Sequence, residues 1–87
     1  MTLCEQLDSF EHYYTEARLA LLEKLKDPGH LHAMACDRLV NNFHIHGDAG
    51  WENSPDLLET DRDEELADAL VYETMRLRQK ERTHRAR

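Results

Sequence analysis

The segment TLCEQLDSFEHYYTEARLALLEKL (residues 2–25) decides the fold, because a single apolar stripe runs along it at helical spacing. Steps of three and four residues keep such a stripe on one face of an α-helix, here for about six turns. The stripe consists of Leu3, Leu7, Phe10, Tyr14, Ala17, Leu21 and Leu25. Thr2 and Glu5 have the spacing of a capping box, and Asp27-Pro28-Gly29 predicts the helix end. The segment therefore predicts one long amphipathic helix.

Two further helices follow. The second is predicted over residues 31–46, where apolar side chains recur every four positions and Gly47 supplies a stop. After a glycine-containing loop, Ser54-Pro55-Asp56 has the pattern of a helix start and predicts a short accessory turn. Thr60-Asp61 offers a separate cap, so the third helix is predicted over residues 61–80. These patterns predict an all-α fold, a small three-helix bundle with a short accessory helical turn.

The chain has 87 residues, of which 40% are apolar, and this allows one small helical domain, predicted over residues 1–77. Leu77 is the last large apolar residue, so residues 78–87 are predicted to form a basic, mobile tail. Small helical cores often gain stability by self-association. We therefore expect a homodimer that pairs through the apolar stripe of the first helix.

The sequence favours a reducing compartment. Cys4 and Cys36 are isolated from each other and form no C-x-x-C pair, and we expect them to be unpaired thiols that act as small buried apolar residues. The N-terminus reaches Glu5 and Asp8 without a hydrophobic signal region, and the longest wholly apolar run has four residues. These features predict a cytoplasmic protein with no membrane span.

Charge is distributed unevenly along the chain. Residues 1–75 hold 17 acids against 5 Lys and Arg, a net charge of −12, and the acids concentrate in residues 48–68. Such a surface could imitate a nucleic-acid backbone and bind a basic or nucleic-acid-binding protein, or the acids could simply stabilise a helix N-terminus. Trp51 could anchor a partner or fold back as a lid on the core, and the lid is favoured. The predicted partner-binding residues are Trp51, Asp56, Glu59, Asp61, Asp63 and Glu64.

The C-terminal segment has the opposite charge. Residues 76–87 hold six Lys and Arg against one Glu, a net charge of +5. Such a segment could contact nucleic-acid phosphates, although the acidic body opposes docking and no aromatic residue follows Tyr72. This weak alternative would use Arg78, Arg82, Arg85 and Arg87.

The run from Glu64 to Tyr72 (EELADALVY) resembles the second metal-binding helix of MazG-like nucleoside triphosphate pyrophosphohydrolases. The resemblance covers nine residues and implies an all-α, Mg²⁺-dependent hydrolase in which Glu65 and Asp68 match the E-x-x-D metal ligands. The first ligand motif of that family, E-E-x-x-E, does not occur in the sequence. An incomplete hydrolase of this kind is the alternative function.

Histidine supplies a further metal hypothesis. His30 and His32 form one H-x-H pair, His44 and His46 form another, and Cys36 follows His32 by one helical turn. Zinc binds such side chains, but residues two apart on a helix point about 200° apart and cannot chelate one ion together. The favoured interpretation is therefore surface histidines.

No nucleophile motif or glycine-rich phosphate loop is present in the sequence. We expect a small, acidic, non-enzymatic protein that binds another protein and modulates or inhibits it without a cofactor. An accessory protein of a phage or mobile element would suit this size and acidity.

Overall fold

A computed structural model describes residues 1–85, and within that range the chain is helical and contains no strand. Helix α1 spans Leu3–Lys26, helix α2 spans His30–His46, and helix α3 spans Pro55–Arg85. A single turn of 3-10 helix, Ala49–Glu52, lies between α2 and α3. The predicted all-α fold with three main helices is confirmed. None of the described helices is both long enough and apolar enough to span a lipid bilayer.

The caps predicted around α1 are present. The Thr2 hydroxyl accepts a hydrogen bond from the Glu5 N–H, and the Glu5 carboxylate accepts one from the Thr2 N–H, both at 3.1 Å. These two bonds satisfy N–H groups that have no partner within the helix and hold the pKa of Glu5 below its usual value. After α1, the Asp27 carboxylate accepts hydrogen bonds from the N–H groups of Gly29 and His30, which lowers the pKa of Asp27. His30 is the first residue of α2, so the same contact marks the start of that helix.

The predicted break at Thr60-Asp61 is wrong, because α3 runs without interruption from Pro55 to Arg85. Ser54 provides the actual start, where its hydroxyl accepts from the Leu57 N–H at 3.2 Å. The Thr60 hydroxyl donates to the Asp56 carbonyl at 3.1 Å, so its side chain is satisfied within the helix and caps nothing. The accessory turn and the third helix are therefore one element, which continues through residues 81–85.

The core is the contact between α1 and the C-terminal half of α3. Ala17 on α1 is fully buried, Tyr13 is nearly so, and Thr74 is the buried residue of α3. The Thr74 hydroxyl donates to the Leu70 carbonyl at 2.9 Å, so a polar side chain is accommodated there without an unsatisfied group. The small side chain of Ala17 lets the two helices approach closely.

Tyr13 connects the same two helices through a polar contact. Its hydroxyl donates a hydrogen bond to the Glu81 carboxylate, which raises the pKa of Tyr13 and lowers the pKa of Glu81. Ala17, a residue of the predicted stripe, lies on the buried face of α1, whereas Tyr14 of the same stripe is 40% exposed. The face of α1 that meets α3 therefore overlaps the predicted stripe at Ala17 and also includes Tyr13.

Helix α2 takes little part in the core. No residue between His30 and His46 is buried, and Leu39, Phe43 and Ile45 are all more than half exposed. The molecule is accordingly elongated, with extents of 47 × 29 × 23 Å. It is a packed pair, α1 and α3, with α2 attached through its two turns.

Enlarging Ala17 tests the α1–α3 contact. We expect Ala17→Leu to lower the free energy of unfolding by about 1–3 kcal/mol, because the added carbons have no space between the helices. Urea denaturation followed by circular dichroism measures this loss. Ala67→Leu, at an exposed site on α3, is the matched control and should leave the stability nearly unchanged. Equal effects of the two substitutions would contradict the assigned core.

The Tyr13–Glu81 hydrogen bond predicts a pH dependence with two limits. The pKa of Tyr13 is raised on folding, so its stabilisation is present below about pH 10 and is lost as pH rises through the folded value. The pKa of Glu81 is lowered, so its stabilisation is present above about pH 4.3 and is lost as pH falls through the folded value.

We therefore expect Tyr13→Phe to lower the melting temperature most between about pH 5 and pH 9, with the difference from the wild type shrinking at both extremes. Circular dichroism melts between pH 3 and pH 11 measure it. Tyr72→Phe removes a hydroxyl from an exposed tyrosine and serves as the control. A difference that stays constant across the range would disprove the role of this bond.

Candidate functional site

A groove lies between the C-terminal half of α2, the 3-10 helix and the first turns of α3, with a volume of about 1020 Å³. Its apolar lining comes from all three elements: Leu39 and Phe43 from α2, Trp51 from the 3-10 helix, and Leu58 from α3. Each of these four side chains is between 45% and 77% exposed. We call this concavity the α2–α3 groove, and it is larger than a second concavity of about 830 Å³ between α1 and the end of α3.

Local backbone structure positions this groove. Gly47 ends α2 with a φ of 63°, a conformation that side chains with a Cβ rarely adopt, and its N–H donates to the Phe43 carbonyl at 2.9 Å. The Trp51 N–H donates to the Asp48 carbonyl at 3.0 Å and closes the 3-10 turn. The short connection thereby places Trp51 close to Phe43.

Trp51 does not cover the core. Its side chain is 77% exposed, the highest exposure among the large apolar residues that the structure describes. The predicted lid is therefore wrong, and the exposed alternative describes this chain. The lid fails because the buried contact lies between α1 and the far half of α3, whereas the loop carries Trp51 to the near end of α3.

Three carboxylates line the groove beside the apolar residues: Asp48, Asp61 and Glu65. No Lys or Arg is among the lining residues, and His46 is the only side chain there that can become cationic near neutral pH. Within residues 1–85 none of the three acids forms an ion pair. The groove is consequently apolar and negatively charged.

The other acids predicted for partner binding lie outside the groove. Asp56, Glu59, Asp63 and Glu64 are exposed on the first turns of α3. Arg62 approaches Glu59 at 3.9 Å and Asp63 at 3.0 Å, in ion pairs that are too exposed to contribute much stability. Of the residues assigned to the partner surface, the structure thus brings only Trp51 and Asp61 together in one concavity.

The predicted metal ligands Glu65 and Asp68 lie three residues apart on α3. Glu65 lines the groove, whereas Asp68 is exposed outside it. The Cys36 thiol lies 3.9 Å from His32 Nδ1, a contact between two side chains of one helix turn. Within residues 1–85 no group of three His, Cys, Asp or Glu side chains could hold one metal ion. Cys4 and Cys36 are both free, and their predicted burial is wrong because both are exposed.

The basic C-terminal residues are partly engaged within α3. Arg85 pairs with Glu81 at 2.6 Å, and Arg76 pairs with Glu73 at the same distance. Arg78 is half-buried and Arg82 is exposed. Arg87 lies outside the described residues. Near these residues a second concavity of about 830 Å³ is lined by side chains of both charges, including Glu16, Lys80 and Glu81.

Sequence reasoning missed two features of the site. Leu39 and Phe43 belong to the apolar row that predicts α2, and their place in an exposed groove depends on α2 remaining unpacked. Glu65 was predicted as a metal ligand or as an acid at the helix start, and not as part of a binding surface. The usable signal was the short connection between Phe43 and Trp51, which brings two large aromatic side chains near the same helix end.

Comparisons with known protein families, with curated proteins and with solved structures found no match for this chain. The features of this chain that bear on its function are therefore the α2–α3 groove and the carboxylates that line it.

Proposed function

We propose that the protein is a non-enzymatic, homodimeric binding protein that binds and modulates another protein through its acidic surface. The observation that carries the proposal is the α2–α3 groove, where an exposed tryptophan and unpaired carboxylates meet without a compensating Lys or Arg. The binding surface consists of Trp51 and Asp61 in the groove together with Asp56, Glu59, Asp63 and Glu64 beside it.

The two kinds of side chain have different tasks in this proposal. The acids steer a basic partner towards the surface and raise the association rate, an effect that salt weakens. Trp51 supplies the apolar contact area that holds the complex, since tryptophan is enriched among residues that dominate binding energy. An acidic surface also disfavours nucleic acid and anionic membranes as the bound species, because both carry negative charge.

The exposed area supports the homodimer. A folded monomer of this mass typically exposes about 5,400 Å², whereas the chain exposes 7738 Å². The excess of roughly 2,300 Å² matches the area that each subunit buries in an obligate dimer, about 1,000–2,500 Å². On α1, Leu3, Leu7 and Tyr14 remain exposed on the face beside the α3 contact, and a second copy would cover them.

Substitution on α1 tests the homodimer. We expect the wild-type chain to have twice its 10.3 kDa mass in multi-angle light scattering, and Leu7→Asp to convert it to the monomer. Leu19→Asp is the matched control, because Leu19 is 57% exposed and Leu7 is 56% exposed. Leu19 lies about 120° away around the helix. A monomeric wild type, or dissociation caused equally by both substitutions, would refute pairing through this face.

Charge neutralisation tests the acidic surface separately. The four acids of α3 outside the groove are replaced by amides, in the variant Asp56→Asn, Glu59→Gln, Asp63→Asn and Glu64→Gln. We expect proteins from a host extract that bind the immobilised wild type to bind this variant at least about tenfold less, and to elute from the wild type at about 0.5 M salt.

The control for this experiment removes the same charge from α1, through Asp8→Asn, Glu11→Gln, Glu16→Gln and Glu23→Gln, all at exposed positions. It should retain the bound proteins. Retention by the α3 variant, or equal loss in both variants, would show that the acidic surface of α3 has no specific role.

A further inference from the structure

We propose that the α2–α3 groove binds a basic amphipathic α-helix of two to three turns from the partner protein. Its apolar side would contact Leu39, Phe43, Trp51 and Leu58, and its Lys and Arg side chains would meet Asp48, Asp61 and Glu65. This inference rests on the proposed function and specifies the chemistry of the segment that is bound.

The dimensions of the groove suit a short helix. On α2 its lining runs from Leu39 to His46, and on α3 it runs from Leu58 to Glu65. Each of these stretches is about 10 Å long, which equals the span of side chains at positions i, i+3, i+4 and i+7 of a bound helix. The volume of about 1020 Å³ accommodates several large side chains.

The apolar lining of the groove favours a partner with an apolar surface. Phe43 is 64% exposed and Trp51 is 77% exposed, and they share the groove with two leucines. Contiguous apolar surface on a folded chain marks an interaction site more often than does a single exposed residue. An apolar helix face would remove all four side chains from water at once.

The charges select a basic helix. The three acids of the groove have no Lys or Arg beside them in the lining and form no ion pair within residues 1–85. A second copy of this chain is less complementary, because the start of α3 is itself acidic. At the basic end of α3, Arg76 and Arg85 already pair with Glu73 and Glu81 of their own helix. A segment with several Lys or Arg would pair with these carboxylates. Two copies of the acidic groove would instead repel each other.

Trp51 is the only tryptophan and therefore reports directly on the groove. The full chain is titrated with a 14-residue amphipathic peptide of Leu and Lys, while tryptophan emission is recorded. We expect a saturable shift of emission to shorter wavelength. A peptide of the same pattern with Glu in place of Lys should give no shift, and 0.5 M salt should weaken binding by the Lys peptide.

Two pairs of variants assign the binding to the groove. Phe43→Ala, and separately Asp61→Asn with Glu65→Gln, should weaken binding about tenfold or more. Their matched controls are Ile45→Ala, at an exposed site of α2 outside the groove, and Asp8→Asn with Glu11→Gln, which removes the same charge at exposed sites of α1. These controls should bind as the wild type does. Circular dichroism verifies that every variant remains helical.

Three results would overturn the inference. They are no saturable shift with the Lys peptide, equal binding by Phe43→Ala and Ile45→Ala, or a peptide-independent shift that grows with protein concentration and disappears in Phe43→Ala. The last result would place a second copy in the groove. If the peptide fails while extract proteins still depend on the acids of α3, only this inference fails. If that dependence also fails, the proposed function fails with it.

Discussion

The close contact between α1 and α3 at Ala17 is the constraint on which the rest of the structure depends. Ala17 is fully buried on α1, and Thr74 is buried on α3 while its hydroxyl bonds to its own helix. Tyr13 extends the contact with a hydrogen bond to Glu81. These few residues hold α1 against α3. Helix α2 and the 3-10 helix are attached to this pair through the connecting turns.

A core this small leaves the rest of the chain organised by local interactions. The Asp27 carboxylate starts α2, the positive φ of Gly47 ends it, and the Ser54 hydroxyl starts α3. Such caps fix where helices begin and end, but they bury no apolar surface. The α2–α3 groove exists because α2 is held at both ends and packed along neither side, which leaves Phe43 and Trp51 in solvent.

Sequence patterns correctly predicted those helix ends that depend on hydrogen bonds between nearby residues. The capping box at Thr2 and the turn at Asp27 gave the bounds of α1 nearly to the residue. The helix start predicted at Thr60 was wrong, because a threonine hydroxyl can either cap a new helix or bond to a carbonyl one turn back in a continuing helix. The surrounding backbone decides between the two, and here the hydroxyl bonds to the Asp56 carbonyl. The stripe of α1 includes the buried Ala17 but not the buried Tyr13, since contact with α3 decides which side of the stripe is covered. The groove depends on tertiary placement and left no periodic signal.

Helix α3 separates the acidic and basic parts of the sequence in space, because the acids lie at its start and most of its basic residues lie at its end. Some of its acids are accounted for locally, by the helix N-terminus and by Arg62. Beyond Arg62, which pairs with Asp63, the cations of α3 begin at Arg76, eleven residues and about 16 Å past Glu65 along the helix axis. That separation exceeds the Debye length of about 8 Å at physiological ionic strength, so the cations scarcely screen the groove. One uninterrupted helix therefore keeps the cations away from the carboxylates beside Trp51, and the groove stays available to a positively charged partner.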